Sequence, residues 1–257
     1  MLEDTSFPIW VVAGVMCLAI GSFLGVLIER IPVNWSVIVG RSTCGTCSKA
    51  LAPIDLIPLF SWLWLLGKCR RCRATIGAFY PLIELAALGV ALWALAVVPI
   101  GWMLAATCFL GWVLLVLALI DWRHFILPDV ITLPLIPIGL LVAFVVDREF
   151  ILDHLIGAAV GYCFVVAIAF FYRVWRGQEG IGMGDAKLLA ATGAWVTWQG
   201  LSSVVLYASV LALLGVMVQA IAGRTVSATH KVAFGSYLCA AFWLVWLYGP
   251  LVLSSPF

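Results

Sequence analysis

Four of the eight cysteines in this chain form two CxxC pairs, Cys44 with Cys47 and Cys69 with Cys72, and two aspartates, Asp121 and Asp185, stand at the ends of long apolar runs. Each CxxC offers two sulfurs from one tight knuckle, so two knuckles can close a tetrahedron of thiolates around a d10 ion such as zinc. The spacer, residues 48–68, is only slightly longer than the usual range of about 15 to 20 residues. Four protein ligands leave no open position for water. The expected metal is therefore a structural zinc, stabilising a loop too small to fold on a core of its own. Disulfides are the competing reading, and they do not suit a loop placed on the reducing cytoplasmic side. Cys17, Cys108, Cys163 and Cys239 stand singly in apolar runs and read as small buried hydrophobes.

Asp121 follows LVLALI in the stretch LIDWRHFILPDVITLP, and Asp185 lies in GIGMGDAKLLA. Ionisable groups in or at the edge of a membrane span are costly, which makes both functional candidates. Two carboxylates brought together in a partly dry site cannot both ionise easily, so they share a proton. That state suits peptide hydrolysis, because one carboxylate can draw a proton from water while the protonated one polarises the scissile carbonyl. Gly182 and Gly184 carry no side chains, so an extended substrate backbone could come close to Asp185. Taken alone GxGD is a weak signal, since glycine before a helix is ordinary punctuation and Asp is a good N-cap.

The elements that must position these residues are membrane helices. Of 257 residues 65% are hydrophobic and 10% charged, against about 25% charged in a soluble globular protein. So apolar a chain is neither a soluble globule nor disordered. A net charge of +2 supplies no field for nucleic acid, so no nucleic-acid partner is expected and membrane lipid is the surrounding. Residues 8–28, 82–100, 102–120, 155–172 and 232–253 are long enough to span, and 130–146, with Pro134 and Pro137, reads as a kinked span. Residues 188–223 carry no charge and would extend about 54 Å as one helix, too long for a single crossing. That run should fold back near Gln199 and Gly200, with an unusually short first part. The expected fold is an all-α polytopic membrane protein of about eight transmembrane helices with a small cytoplasmic zinc-binding loop domain.

Lys and Arg set the orientation. Thirteen of the fourteen fall in alternate loops: Arg30, Arg41, Lys49, Lys68, Arg70, Arg71 and Arg73 in the first, Arg123 in the second, Arg173, Arg176 and Lys187 in the third, Arg224 and Lys231 in the last. Only Arg148 lies on the other side, so both termini should face away from the cytoplasm. Residues 1–7 hold Glu3 and Asp4 and lack the basic region of a cleaved signal, so the first span should stay. The layout is a first span at 1–28, a cytoplasmic four-cysteine loop domain at 29–79 and a multi-span membrane domain at 80–257. Residues 56–66 are apolar but too short to cross, and read as a core or interfacial segment. No internal repeat is visible.

In order along the chain, GSFLGVLIERIP, the two CxxC pairs, DLIPLFSWL, GKCRRC, FYPLIE, LIDWRHFILPD and GIGMGDAKLL resemble the type IV prepilin peptidases, GxGD-type aspartic proteases of bacterial inner membranes. The resemblance implies that Asp121 and Asp185 are the catalytic pair, with Asp129 a secondary candidate whose plainer role is to begin the next helix. It implies removal of the basic leader from type IV prepilins or pseudopilins at the cytoplasmic membrane face, in the setting of pilus assembly, type II secretion or DNA uptake. It also implies a second activity, methyl transfer from S-adenosylmethionine to the new N-terminal amine. Glu29 and Glu84 are candidate contacts for that amine or cofactor, with pairing to Arg30 or Arg73 the plainer alternative. One departure is visible, because the family reads GSFLN where this chain has Gly25. His124, His154 and His230 lie outside any ligand-like spacing and read as loop residues. The alternative from another class is a proton-coupled or ion transporter with a zinc-stabilised loop. Transporters hold their carboxylates near the bilayer midplane, whereas Asp121 and Asp185 lie at span ends.

Overall fold

A computed structural model describes residues 6–33, 42–177, 182–222 and 232–251. Glu3, Asp4, Arg41, Arg224, His230, Lys231 and the C-terminal residue lie outside them. Among the described residues the chain is all helical: α1 Ser6–Arg30, α2 Phe60–Trp64, α3 Phe79–Val97, α4 Trp102–His124, α5 Asp129–Val146, α6 Ile151–Arg176, α7 Met183–Ile221 and α8 Phe234–Tyr248. Six of these are long and apolar enough to cross a membrane, and α8 is apolar but has 15 residues. The protein is thus a multi-pass membrane protein. It divides into two compact units, Met1–Trp112 and Val113–Phe257.

In the first unit α1 lies against α3 through glycines four residues apart, which share one helix face. A Cβ on Gly21 would stand 2.6 Å from the Glu84 Cα, and one on Gly25 would stand 2.8 Å from the Tyr80 ring. Gly25, the departure from GSFLN, therefore makes room for Tyr80. Ala87 is fully buried, and its carbonyl accepts the Trp112 indole N–H at 2.9 Å.

In the second unit α7 is broken. Thr197 has φ 64° and ψ 174°, left-handed values that no helix interior accommodates. Contacts with α8 show what the break does. On the arm 183–196, Trp195 meets Trp246 edge-on at 5.1 Å, while at its start Gly184 and Gly235 both pack on Leu127. On the arm 198–221 the order runs the other way, Ser203 accepting the Leu251 N–H at 3.0 Å and Gly215 meeting Tyr237. The chain therefore reverses at Thr197, two residues before the expected fold. The first arm is about 21 Å long, well short of a hydrocarbon core of about 30 Å. Gly157 and Gly161 of α6 let its backbone touch that of α7, a Cβ on Gly157 falling 2.6 Å from the Gly193 carbonyl oxygen. In the proline-bearing α5 the Leu135 carbonyl accepts the Trp195 indole N–H at 2.9 Å.

Two smaller expectations are corrected and a third is narrowed. His154 is a buried residue of α6 whose Nδ1 lies 3.0 Å from the Ala194 carbonyl, and His124 is the last residue of α4, so neither is a loop residue. Cys163 is exposed and Cys17 half-buried, because a helix facing lipid needs no core on its outer side. Of the two readings of segment 56–66, core or interfacial, only the core one is excluded, since Leu56, Ile57, Phe60, Leu63, Trp64 and Leu66 are all exposed.

Candidate metal centre and active site

The two CxxC turns are built alike, 25 residues apart. The Cys44 N–H donates to the Lys49 carbonyl at 3.0 Å, as Cys69 does to Ala74 at 2.8 Å. Ser48 N–H returns to the Cys44 carbonyl as Arg73 N–H does to Cys69. Isolated bridges Thr43 to Ala50 and Lys68 to Thr75 close the two turns, and Ser48 and Arg73 both take left-handed φ, 53° and 59°. This is a structural duplication too short to register as a sequence repeat.

The duplication brings four sulfurs together, all within 4.8 Å of one another, with Cys44 and Cys72 at 3.8 Å. Tetrahedral zinc with Zn–S bonds of about 2.3 Å requires sulfurs about 3.8 Å apart, so the donor set and its spacing fit the ion. The backbone prepares the thiolates. Amides of Cys47 and Thr46 aimed at Cys44 bring its thiol down to about 6, and those of Cys72 and Arg71 lower Cys69. Against the favourable Ala74 amide, desolvation and the neighbouring sulfurs push Cys72 up to about 11. Protons held by the cluster are what a divalent cation would displace.

Asp121 lies in the last turn of α4 and is buried, at 5% exposure. Its Oδ2 accepts the Ser236 backbone N–H at 2.7 Å and lies 3.1 Å from the Ser236 hydroxyl, which also reaches the Ala118 carbonyl at 2.8 Å. Ser236 is the third residue of α8, so its N–H is one of the donors a helix leaves unsatisfied at its start. Gly235 permits the approach, because a Cβ there would fall 3.0 Å from the Asp121 carboxyl. Past α4 the chain turns at Phe125, φ 55°, whose N–H is held by the Asp121 carbonyl at 2.8 Å. That turn delivers Leu127 to Gly235 and to Gly184.

Asp185 is the third residue of α7, with Gly182 in the cap position, so it is not the N-cap that its sequence context allows. Its side chain accepts no hydrogen bond from the described residues. The two aspartates approach a common neighbour: Gly184, beside Asp185, and Gly235, against the Asp121 carboxyl, both pack on Leu127. Gly184 has a nearer role than substrate access, since a Cβ there would stand 2.9 Å from that of Leu127, whereas one on Gly182 would meet the Asp185 Oδ2 and the Gly184 nitrogen only at 4.0 Å.

Asp129 opens α5, and both its oxygens hold the Lys187 ammonium, at 2.6 and 2.7 Å. It is a helix-start residue tied to α7. Glu29 accepts the Tyr80 hydroxyl at 2.6 Å and buried Glu84 accepts the Leu59 N–H at 2.7 Å. Each thus has one carboxylate oxygen engaged within the chain. Ser236, Gly235 and Leu127 were not singled out in the sequence. The only signal for Ser236 is a polar residue at the start of an apolar helix, which does not identify its partner.

Residues 15–98 match the bacterial peptidase A24 N-terminal domain, and residues 108–217 match the type IV leader peptidase family. The chain is 39% identical to the prepilin leader peptidase/N-methyltransferase of Aeromonas hydrophila, over 90% of this chain and 88% of that protein. It is 37% identical to the one from Burkholderia pseudomallei, over 88% and 81%, and 35% identical to the one from Pseudomonas aeruginosa, over 93% and 90%. No solved structure matches.

Proposed function

The chain belongs to the type IV leader peptidase family, and from that premise we propose that Asp121 and Asp185 are the pair with which it cleaves. The protein is a prepilin-processing enzyme with peptidase and N-methyltransferase activities. The observation that carries the pair is their convergence around Leu127 and the start of α8, where Gly184 and Gly235 admit Leu127 and Gly235 admits the Asp121 carboxyl.

The environments of the two carboxyls differ, and the roles follow. Asp121 receives a backbone N–H and faces a hydroxyl, both of which favour a carboxylate. It draws a proton from the attacking water as the water oxygen bonds to the scissile carbonyl carbon. Asp185, without such donors, carries the proton and hydrogen-bonds the carbonyl oxygen. When the C–N bond breaks, the proton taken by Asp121 passes to the leaving amine.

The substrates in this reading are prepilins or pseudopilins with a basic leader and a hydrophobic helix. Cleavage takes place at the cytoplasmic face of a bacterial inner membrane, in a chain of eight crossings that counts the two arms of α7 separately. The thirteen-to-one division of Lys and Arg supports that sidedness. First span 1–28, loop domain 29–79 and protease region 80–257 belong to the same proposal. Zinc at Cys44, Cys47, Cys69 and Cys72 would hold the loop and perform no chemistry. S-adenosylmethionine would supply the methyl group when bound. Incubation with a peptide carrying a basic leader, a glycine and a hydrophobic helix tests the reading. A transporter leaves the peptide intact, whereas the peptidase releases the leader.

A further inference from the structure

The loop between the two knuckles carries an apolar face that its own fold leaves uncovered. Phe60, Leu63, Trp64 and Leu66 are 59, 61, 72 and 81% exposed, too open for a core. The backbone arranges them: left-handed residues at Leu59 and Leu66 bracket the five-residue α2, and Phe60 stacks on Trp64 with centroids 5.9 Å apart. The result is an aromatic plate with leucines beside it.

One hydrogen bond ties the plate to a membrane-crossing helix. Leu59 N–H donates to Glu84 at 2.7 Å, and Glu84 is the sixth residue of α3, about 7.5 Å along the helix from its first. The loop is therefore held beside the opening turns of a membrane-crossing helix, where headgroups meet acyl chains. Trp and other amphipathic aromatics favour that level.

Beside the plate is an open basin of about 210 Å³ lined by Trp64, Leu66, Lys68, Arg70 and Arg73. Arg70 is already held by Asp55 at 2.7 Å, whereas Lys68 and Arg73 make no ion pair with a described residue. With exposed Arg71 nearby, the charge is wrong for the basic leader of a substrate and right for a phosphate. We propose that this face seats an anionic phospholipid, the Phe60–Trp64 plate entering the boundary of the acyl chains while Lys68 and Arg73 hold the headgroup phosphate. Basic residues beside a span recognise anionic lipid in this way.

The test uses the full-length protein in vesicles, with p-benzoylphenylalanine in place of Trp64 and mass-spectrometric identification of what it captures on illumination. Vesicles contain equal parts phosphatidylglycerol and phosphatidylcholine. Capture of phosphatidylglycerol should exceed that of phosphatidylcholine several-fold, and Lys68→Gln with Arg73→Gln, at unchanged zinc content, should remove the preference. Equal capture of the two lipids by the protein with both cations present would overturn the proposal. So would capture of a prepilin peptide added to the vesicles, or of the protein's own chain, in place of lipid. No outcome depends on cleavage, so failure here is separate from failure of the peptidase assignment.

Discussion

Ser236 meets the carboxyl of Asp121 twice, through its N–H at 2.7 Å and its hydroxyl at 3.1 Å, across 115 residues of sequence. The hydroxyl has one proton and two acceptors in reach, Asp121 and the Ala118 carbonyl. It can donate to a carboxylate, or accept from a protonated Asp121 while donating to Ala118. Such a hydroxyl would suit the proposed role of Asp121, which changes its protonation state during the reaction. Ser236→Ala should lower kcat about tenfold, the worth of a hydrogen bond to a charged group, and leave KM within about twofold. Ser236→Thr should restore most of the rate. A purely structural serine would instead lose thermal stability with no split between kcat and KM.

Asp129 provides the internal contrast. Its pair with Lys187 is more than half exposed on the aspartate side, and such pairs contribute about 0 to 1 kcal/mol. Asp129→Asn should keep leader cleavage within about threefold of the parent and lower the thermal midpoint only slightly. Loss of cleavage on the scale expected for Asp121→Asn would move Asp129 into the catalytic site.

Zinc retention should depend on pH in one direction. Cys44, lowered to about 6, is a thiolate at neutral pH and takes up a proton as the pH falls through that value. A thiol lowered on folding stabilises the folded loop above its unfolded range and ceases to do so below the folded value. Metal analysis should therefore find about one zinc per chain at pH 7 to 8 and progressively less on acidification, as protons compete with the metal for the four sulfurs. Single Cys→Ser changes should loosen the loop to proteases while leaving some leader cleavage.

Gly25 and Tyr80 should behave as a coupled pair. A larger side chain at position 25 runs into the Tyr80 ring, 2.8 Å from a Cβ, so Gly25→Leu should destabilise the protein in detergent by about 1 to 3 kcal/mol. Adding Tyr80→Ala should recover part of that loss. Additive thermal shifts would show that the ring is not what limits the position.

What could be read in advance follows from how local each cause is. The charge-free run after Leu188 is too long to cross once, so a reversal near Gln199 was required by length alone, and the break at Thr197 meets it. The four sulfurs were legible because each knuckle is a local turn. Asp121 and Asp185 stood out by the cost of a charge at a span end. The partnership of Ser236 with Asp121 was not legible, since a serine at a helix start has many local uses. Gly184 was recognised as a special position but assigned to the substrate, whereas Leu127 occupies the space. The segment 56–66 was apolar enough for a core, and only the exposure of its side chains places it at a surface.

The central claim is that Asp121 and Asp185 act as one unit. The most direct measurement compares leader cleavage by well-folded Asp121→Asn, Asp185→Asn and the double variant under identical conditions. Each single change should abolish detectable cleavage, and the double variant should be little worse than either, because residues acting as a unit are not additive. Near-normal turnover by either single variant would contradict the account.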